Sequence, residues 1–409
     1  MSEVKGGKVD KLRTKYAGLE FKNPLVQASG NLGLSFSSLK RGIEFGAGAV
    51  TVKSAWVGEF PRRVEIHPLP TMAFMQKQFK MPRTMQNWGG VFISMEKELE
   101  LSKALKSIAQ ENDCRLIGSL TADEEKLEHV KDFGKAARQI QDAGAELLEI
   151  VVSCPYLCES AAEQLDLDRK LVSILFTEVL GAVSIPVIAK IAYEYHTYLM
   201  EQLKTLKELG VKYIHSFTRT RGTVIDIERG MPFVPGPSSL VYGALRKPGS
   251  NRAAAFVRDY DKDFEVISSG GVWTTPDAIE RLMCGADLVA IHTAVNYHGQ
   301  ALFPKLADGI SEFLDRKNYK LNDIVGVAVP HIVDQGEYWR YKESLDRPKS
   351  AITPVVNMEK CTRCSLCTNC IFGAWEMKDD NLVLDMKLCE RCGICESICP
   401  VDAITMQES

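Results

Sequence analysis

Cysteine side chains concentrated near the end of the sequence are the residues with the clearest capacity for chemistry. Of the twelve cysteines in the 409 residues, eight lie close together in this region. They form two groups, Cys361, Cys364, Cys367 and Cys370, then Cys389, Cys392, Cys395 and Cys399. Three thiolates at this spacing come from one tight loop and match a face of a cubic iron–sulfur cluster. The segment therefore predicts [4Fe–4S] chemistry, which transfers single electrons.

The second group has the spacing of bacterial ferredoxins, in which three cysteines bind one cluster and the fourth binds the other. Pro400 follows this group as usual, whereas the first group is one residue shorter before its last cysteine and continues with Ile371. Crossed ligation predicts two [4Fe–4S] clusters. The ligand sets would be Cys361, Cys364, Cys367 and Cys399, and Cys389, Cys392, Cys395 and Cys370. The alternatives are a single cluster or zinc, which structural sites usually bind through two separated CxxC pairs.

Over most of the preceding chain, short apolar runs alternate with longer amphipathic patterns, which indicates strands alternating with helices. The eight runs are 24–29, 49–54, 115–121, 147–153, 187–191, 213–217, 265–269 and 288–292. Several are apolar throughout, as buried parallel strands are. Helical spacing is clear at 129–143, 199–209, 275–284 and 301–316. The pattern predicts a TIM (β/α)8 barrel, and the same alternation also allows a doubly wound sheet.

The domain organisation follows from these patterns. We expect the barrel to occupy residues 1–320 and a connector without clear periodicity to occupy residues 321–353. A bacterial-ferredoxin-like α+β module should occupy residues 354–409. The module contains an internal repeat, because 361–375 resembles 389–404 in the spacing of its cysteines.

In a TIM barrel the catalytic residues lie at the carboxyl ends of the strands, on one face. The candidates there are Ser29, Lys53, Asn87, Cys154, Lys190, Thr218, Arg219, Gly270, Gly271, His292 and Thr293. Gly270 and Gly271 follow the seventh strand, where this fold commonly binds phosphate, and glycine lets backbone N–H groups approach it. The glycine pair predicts a phosphate-bearing ligand, with an ordinary tight turn as the alternative.

Two lysines and a cysteine at these strand ends indicate the type of phosphate-bearing ligand and its chemistry. Lys53 and Lys190 each end an otherwise apolar strand, so each either reaches water or serves a bound anion. A lysine beside the N1–O2 edge of a flavin stabilises its reduced form, and with the phosphate turn the lysines favour a flavin. Cys154 is either a small core residue or an acid that protonates a substrate carbon, and Cys158 is its rival for that role.

Composition restricts the partners. The net charge of −3 gives no electrostatic reason to bind nucleic acid or an anionic membrane. No apolar run has membrane-spanning length and the first residues are polar, so we expect a cytoplasmic protein. No glycine-rich unit for a dinucleotide is evident. We therefore expect electron exchange with an NAD(P)H-oxidising flavoprotein subunit or a soluble ferredoxin, and we expect an oligomer.

Over nearly its whole length the sequence resembles the dihydroorotate and dihydropyrimidine dehydrogenase family, in the form that joins an FMN barrel to a two-cluster ferredoxin module. The matching stretches are NPLVQASGN, AGAVTVKSAW, MQNWGG, LLEIVVSCP, IPVIAKI, GTVIDIE, ISSGGV and GADLVAIHTA. The resemblance implies that FMN is held by Ala28, Ser29, Lys53, Lys190, Gly270, Gly271, His292 and Thr293. It also implies that Cys154 is the catalytic acid and that Asn87 binds the substrate ring.

Two positions depart from the family pattern. Val151 stands where the family has an asparagine, and Phe217-Thr218-Arg219 replaces a stretch that contains another. Those asparagines pair with the amide edges of a pyrimidine, so their loss predicts a different substrate, with Thr218 and Arg219 beside it. We expect an FMN- and iron–sulfur-dependent oxidoreductase acting on an activated C=C bond or its saturated form. The alternatives are a dihydropyrimidine dehydrogenase proper and a non-catalytic flavin and iron–sulfur electron-transfer subunit.

Overall fold

The computed structural model describes residues 11–58, 72–74, 84–87, 92–121, 130–152, 169–192, 196–217, 220–221, 225–226, 228–232, 240–243, 246–333 and 352–408. The chain divides into two compact units, Met1–Ile332 and Val333–Ser409. This boundary lies inside the expected connector, whose first part packs with the first unit through the helix Leu321–Ile324. Within the described ranges, no helix has the length and apolarity needed to cross a membrane.

Eight parallel strands form a closed barrel in the first unit, so the predicted TIM (β/α)8 barrel is confirmed. They are β1 Leu25–Gln27, β2 Ala49–Thr51, β3 Arg115–Thr121, β4 Leu147–Val151, β5 Val187–Ala192, β6 Tyr213–Phe217, β7 Glu265–Ser269 and β8 Leu288–Ile291. Each strand pairs with the next, and β8 pairs with β1 to close the sheet. All eight predicted strand positions are correct, and closure excludes the doubly wound alternative because that sheet is open.

Helices follow the strands around the outside of the barrel. They are α1 Phe36–Glu44, α2 Met95–Glu111, α3 Val130–Ala143, α4 Arg169–Ala182, α5 His196–Glu208, α6 Lys247–Tyr260, α7 Thr275–Met283, α8 Thr293–His298, α9 Leu302–Lys317 and α10 Leu321–Ile324. The four helices predicted from periodicity are present within a few residues of the expected bounds. Before α7, the backbone N–H of Thr274 donates to the carboxylate of Asp277 at 2.8 Å, and Pro276 lies in the first turn.

A short N-terminal hairpin closes one end of the barrel. Its strands Thr14–Tyr16 and Leu19–Phe21 pair antiparallel, and the Tyr16 and Phe21 side chains are fully buried. They pack against the first inward layer of the barrel strands, which includes Val26, Ala49, Ile117, Leu147, Ile188, Ile267 and Leu288. The amino-terminal half of the barrel interior is therefore apolar and filled.

The next inward layer, toward the carboxyl ends of the strands, is polar. Side chains two residues apart on a strand point to the same side. Glu149 follows the inward Leu147 by two positions on β4, and Lys190 follows the inward Ile188 in the same way on β5. The strand period thus places charged side chains inside the barrel at the end where this fold carries its chemistry.

Short strands in the long loops were not expected from the sequence. Ala55–Trp56 pairs with the end of β3 and with Ile93–Ser94. A four-stranded sheet, which includes the predicted substrate residue Asn87, consists of Thr220–Arg221, Leu240–Gly243, Thr84–Asn87 and Met72–Phe74. A further pair is Ile225–Asp226 with Met231–Pro232, and 3₁₀ turns occur at Asn31–Gly33 and Val329–His331.

The second unit is a small α+β module, as expected. Strand Ile352–Val356 pairs antiparallel with Ile404–Glu408, and Trp375–Lys378 pairs antiparallel with Asn381–Leu384. Each cysteine triple leads into a short helix, which is a 3₁₀ helix at Leu366–Asn369 and an α-helix, α11, at Ile394–Ser397. The strand after each cysteine group enters one of the two antiparallel pairs, so the internal repeat of the sequence is also a structural repeat.

Candidate active site and cysteine module

A buried carboxylate lies at the centre of the polar layer inside the barrel. The Glu149 side chain is 2% exposed, and its Oε1 is 2.9 Å from the Nζ of Lys190. The hydroxyls of Ser29 and Ser119 donate to the same oxygen at 3.1 and 3.2 Å. Lys190 also donates to Ser29 at 2.9 Å. One carboxylate group thus connects strands β3, β4 and β5 with Ser29, the second residue after β1.

A histidine completes this network on the other carboxylate oxygen. His215 on β6 is buried, and its Nδ1 lies 2.5 Å from the Oε2 of Glu149 while its Nε2 lies 3.1 Å from the Oγ of Ser269. Because a carboxylate can only accept, the Nδ1 of a neutral His215 carries the proton and its Nε2 accepts from Ser269. Ser269 directly precedes Gly270, so the network reaches the predicted phosphate turn.

Burial and neighbouring charges determine the ionisation of the network. Burial raises the pKa of Glu149, but Lys190 and His215 outweigh it and hold the pKa well below its usual range. Burial and then Lys190 lower the pKa of His215, against the opposing effect of Glu149. At neutral pH the network therefore contains an ionised Glu149 and an uncharged His215.

The end of β1 and the end of β8 meet through His292. A Cβ on Gly30 would lie 2.1 Å from the imidazole ring of His292, so only glycine allows this packing. The backbone N–H of Asn31 donates to the Nε2 of His292 at 3.2 Å, and the amide nitrogen of Asn296 is 3.2 Å from the same atom. Burial, followed by Lys53 and the other cations nearby, Lys190 and Arg246, lowers the pKa of His292 to about 3. Three cations therefore act on His292 at this face of the barrel.

Lys53 follows β2 at this face. Its backbone N–H donates to the carbonyl of Gly33 at 3.0 Å, and a Cβ on Gly33 would lie 2.6 Å from the same nitrogen. The Lys53 ammonium lies 5.3 Å from the centre of the Phe92 ring. Lys190 makes the equivalent contact with Phe217 at 5.8 Å. The two predicted lysines are thus both placed at the carboxyl end of the barrel, each above an aromatic ring.

The predicted phosphate turn is backed by a buried cation. Gly270 and Gly271 have positive φ angles of 109° and 74°, and a Cβ on Gly271 would lie 2.4 Å from the backbone nitrogen of Lys247. Arg281 on α7 is fully buried and donates to the carbonyl of Gly270 at 2.7 Å. Among the described residues its other hydrogen bonds also go to uncharged groups, Ser268 and Asn251. Arg281 therefore fixes the turn and leaves a positive charge behind it.

The cysteines of the module line two separate cavities. One is bordered by Cys361, Cys364, Cys367 and Cys399. The other is bordered by Cys370, Cys389, Cys392 and Cys395, and Cys367 lines this cavity as well. Each cavity thus combines the triple of one group with the last cysteine of the other, as crossed ligation requires. Within the described residues, no three His, Cys, Asp or Glu side chains stand close enough together to hold a single metal ion.

The first cysteine group is one residue shorter than the second, and a change from an α-helical to a 3₁₀ turn compensates for the difference in length. The loops begin alike, with left-handed backbone at Arg363 and Ser365 in the first loop and at Arg391 and Gly393 in the second. They then differ, because a 3₁₀ turn leads to Cys370 where an α-helical turn leads to its counterpart. A 3₁₀ turn needs fewer residues than an α-turn. The last cysteine of the shorter loop therefore still reaches the second cavity.

The structure brings together most of the predicted site residues at one end of the barrel. Ala28 and Ser29 are buried after β1, His292 lies between β8 and α8, and Thr293 is the first residue of α8. Asn87 is placed by its backbone alone, opposite Leu240 and Met72 in the four-stranded sheet. Cys154, Cys158, Thr218 and Arg219 lie outside the described residues, so their assigned roles remain predictions. Val151, which replaces the family asparagine, is paired with Lys190 in the barrel sheet.

Sequence reasoning missed three residues that the site depends on. Glu149 and His215 could have been found, because each is a titratable residue two positions beyond an inward apolar residue on a barrel strand. Arg281 gave no comparable signal. It lies in an amphipathic helix next to Glu280, where a charged residue is usually solvated.

Comparisons with known proteins agree with this architecture. The family model described as dihydroorotate dehydrogenase matches residues 11–314, and the model described as a 4Fe-4S binding domain matches residues 382–405. The first match covers most of the barrel unit. The second covers the second cysteine group and parts of the strands on either side of it.

Curated relatives fall into two kinds. The catalytic subunit of dihydroorotate dehydrogenase B (NAD(+)) from Methanocaldococcus jannaschii is 30% identical over 318 residues, which is 78% of this chain and 98% of that protein. The same subunit from Methanocella arvoryzae is 31% identical over 318 residues, with the same coverage. The PreA subunit of NAD-dependent dihydropyrimidine dehydrogenase from Escherichia coli K12 is 27% identical over 414 residues, covering 97% of this chain and 95% of that subunit. Of these three, the E. coli subunit matches nearly the whole chain.

Proposed function

Because this chain belongs to the dihydroorotate dehydrogenase family and is an oxidoreductase acting on CH–CH groups, we propose that it interconverts an activated C=C bond and its saturated form. FMN would be the hydride carrier. The observation that carries the proposal is the convergence of Lys53, Lys190 and Arg246 on His292 at the carboxyl end of the barrel. A positive end of this kind suits both the phosphate and the reduced ring of a flavin.

The residues at this end fit FMN. The Gly270–Gly271 turn packs against the backbone of Lys247 at the start of α6, and Arg281 supplies positive charge behind it. Backbone N–H groups in such a turn, next to a buried cation, suit a phosphate. We assign the phosphate to this turn and the N1–O2 edge of the ring to Lys53 and Lys190. The remaining predicted contacts are Ala28, Ser29, His292 and Thr293. Bound FMN would supply a hydride acceptor that also passes electrons singly.

The chain's own residues would manage the proton. In the sequence Cys154 comes two positions after Val152, which directly follows β4. We propose that its Sγ gives a proton to, or takes one from, the substrate carbon next to the carbon that exchanges hydride. The filled apolar layer beneath Glu149 keeps water from entering the barrel interior from the opposite end.

The substrate would not be a standard pyrimidine. Val151 is paired with Lys190 at the end of β4 and has no group that bonds an amide. Losing a buried hydrogen-bond partner costs roughly 1–3 kcal/mol. We propose a less amide-rich unsaturated compound, with an anionic group that would be bound by Arg219. Uracil, thymine and orotate are then expected to be poor substrates.

The module would carry electrons between FMN and an outside partner. Its two cavities, each bordered by a crossed set of four cysteines, support two [4Fe–4S] clusters. The relatives named above are subunits of NAD-dependent enzymes. We therefore propose an NAD(P)H-oxidising flavoprotein subunit as the partner, with a soluble ferredoxin as the alternative.

An anaerobic half-reaction tests the proposal. Protein whose flavin has been reduced is mixed with enoyl carboxylates, their neutral esters, uracil, thymine and orotate, and the recovery of flavin absorbance is followed. Fast recovery with an enoyl compound in the wild type and in Cys158→Ala, but not in Cys154→Ala, supports it. Efficient turnover of uracil would contradict the proposed substrate class and indicate a dihydropyrimidine dehydrogenase. Recovery with none of these compounds, while the clusters still accept electrons, would indicate an electron-transfer subunit.

Cluster content is measured separately. Protein purified without oxygen should contain about eight iron and eight sulfide per chain, the content of two [4Fe–4S] clusters. Iron near four per chain, or zinc in place of iron, would contradict the assignment of two clusters.

A further inference from the structure

The ion pair inside the barrel has a feature that flavin binding alone does not require. A lysine that stabilises a reduced flavin acts through its positive charge. Here the ammonium of Lys190 is 2.9 Å from the carboxylate of Glu149, so the negative carboxylate offsets much of the positive charge of the lysine. Only 14% of the Lys190 side chain and 2% of the Glu149 side chain are exposed. Solvent therefore screens this pair weakly.

Glu149 is held in place from several strands. Ser29 and Ser119 donate to one oxygen and His215 donates to the other, so the carboxylate cannot turn away from Lys190. Lys190 is held in turn by Ser29 and lies above the ring of Phe217. An uncharged His215 adds no net charge, so its part is to orient the carboxylate.

We propose that Glu149 is a positioning residue that fixes the Lys190 ammonium and offsets its charge, and thereby sets the reduction potential of the bound flavin. Removing the carboxylate leaves the full charge of Lys190 beside the cofactor and favours the reduced form. Removing the lysine leaves a buried carboxylate and favours the oxidised form. The inference rests on the proposed contact between Lys190 and FMN, but not on the proposed substrate.

A double-mutant cycle of Glu149 and Lys190, followed by redox titration of the flavin, tests the proposal. The variants are Glu149→Gln, Lys190→Met and the double variant, each loaded with FMN and titrated anaerobically against redox dyes. At a fixed potential, Glu149→Gln should raise the ratio of reduced to oxidised flavin by about tenfold or more, as expected for a unit charge in a poorly screened site. Lys190→Met should lower the ratio by a similar factor. The double variant should lie between the two single variants, because it restores neutrality.

Two further variants separate electrostatics from folding. Glu98→Gln is the packing control, because it makes the same substitution at a carboxyl that is equally buried but lies on α2 outside the barrel, and it should leave the ratio unchanged. Burial raises the pKa of Glu98 to about 8, so near pH 7 this change removes little charge. His215→Phe removes the donor to Glu149 without removing its charge, and should shift the ratio in the direction of Glu149→Gln by a smaller factor. If Glu149→Gln loses its flavin, His215→Phe decides the question.

The outcomes are distinct. An unchanged ratio in FMN-loaded Glu149→Gln would overturn the proposal and leave the network a structural role. Loss of flavin from both Glu149→Gln and His215→Phe would overturn it in the same way. A shift as large in Glu98→Gln would show that the effect is not local. Since no substrate enters the measurement, its result stands even if the proposed substrate class is wrong.

Discussion

The buried carboxyl of Glu98 should make the stability of the barrel fall as pH rises. Glu98 lies in the first part of α2 and is fully buried, and the hydroxyl of Ser102 donates to its Oε1 at 3.0 Å. Its Oε1 is also 3.2 Å from the position of a Cβ on Gly118, so the carboxyl packs directly on β3. Burial raises the pKa of Glu98 from 4.5 to about 8, against the opposing effect of Ser102. The folded protein therefore favours the protonated form.

The sign and size of the effect follow from linkage. The folded state binds the proton of Glu98 more tightly than the unfolded state does. The contribution of this group to stability is therefore largest below pH 4.5 and falls until the pH passes about 8. One pKa unit corresponds to about 1.4 kcal/mol, so raising the pH from 6 to 8 should cost roughly 2–3 kcal/mol from this group. Glu98→Gln replaces the carboxyl with an uncharged group of nearly the same shape and should remove this pH dependence.

Denaturant unfolding of the FMN-loaded protein at several pH values between 6 and 9 measures the effect. The difference in the free energy of unfolding between Glu98→Gln and the wild type should increase in favour of Glu98→Gln by about 2–3 kcal/mol over this range. Ser102→Ala is the control, because it removes the hydrogen bond but leaves the titrating carboxyl. Parallel pH profiles for wild type and Glu98→Gln would refute the reasoning, since the carboxyl would then not be buried in its protonated form.

Four further outcomes are expected. Cys154→Ala should retain FMN and slow the substrate half-reaction by about a hundredfold or more in stopped-flow measurements, and unchanged turnover would remove its acid role. Cys370→Ser should alter the electron paramagnetic resonance signal of the cluster held by the second triple, and an altered first cluster instead would exclude crossed ligation. Arg281→Met should weaken the binding of FMN by about tenfold or more but weaken the binding of riboflavin, which has no phosphate, much less. Arg281→Lys should bind FMN with an affinity between those of the wild type and Arg281→Met. Equal losses for both ligands would indicate a purely structural role. Lys53→Ala should weaken flavin retention measured by ultrafiltration, and full retention with an unshifted potential would contradict a flavin contact.

The barrel could be predicted because its strands are apolar on both sides. A strand such as β8, Leu288–Ile291, is buried against helices outside and against packed side chains inside, so it forms an uninterrupted apolar run. The short strands of the loops have no such signal, since Thr220–Arg221 and Ile225–Asp226 are only two residues long. Their pairing depends on partners distant in sequence, which no local pattern records.

Site residues could be predicted where the residue type and its spacing alone indicate the chemistry, as for the cysteines. They could not be predicted where the role of a side chain depends on a contact with a residue distant in sequence. The cysteine spacing was enough to predict the crossed sets that line the two cavities. Lys190 was expected to reach either water or a bound anion, but it reaches a third kind of partner, the buried carboxylate of Glu149. That carboxylate comes from the neighbouring strand β4, and only the register of the closed barrel brings the two side chains together.

The hairpin that carries Tyr16 and Phe21 gives the barrel interior the form of a well with one opening. Within the described residues, the charged groups of this well therefore face the carboxyl end of the barrel, where Lys190 lies and where we place the flavin. A cofactor bound there would cover Glu149, Lys190 and His215 together. Small solutes in bulk water would then be kept from the ion pair for as long as the cofactor stays bound.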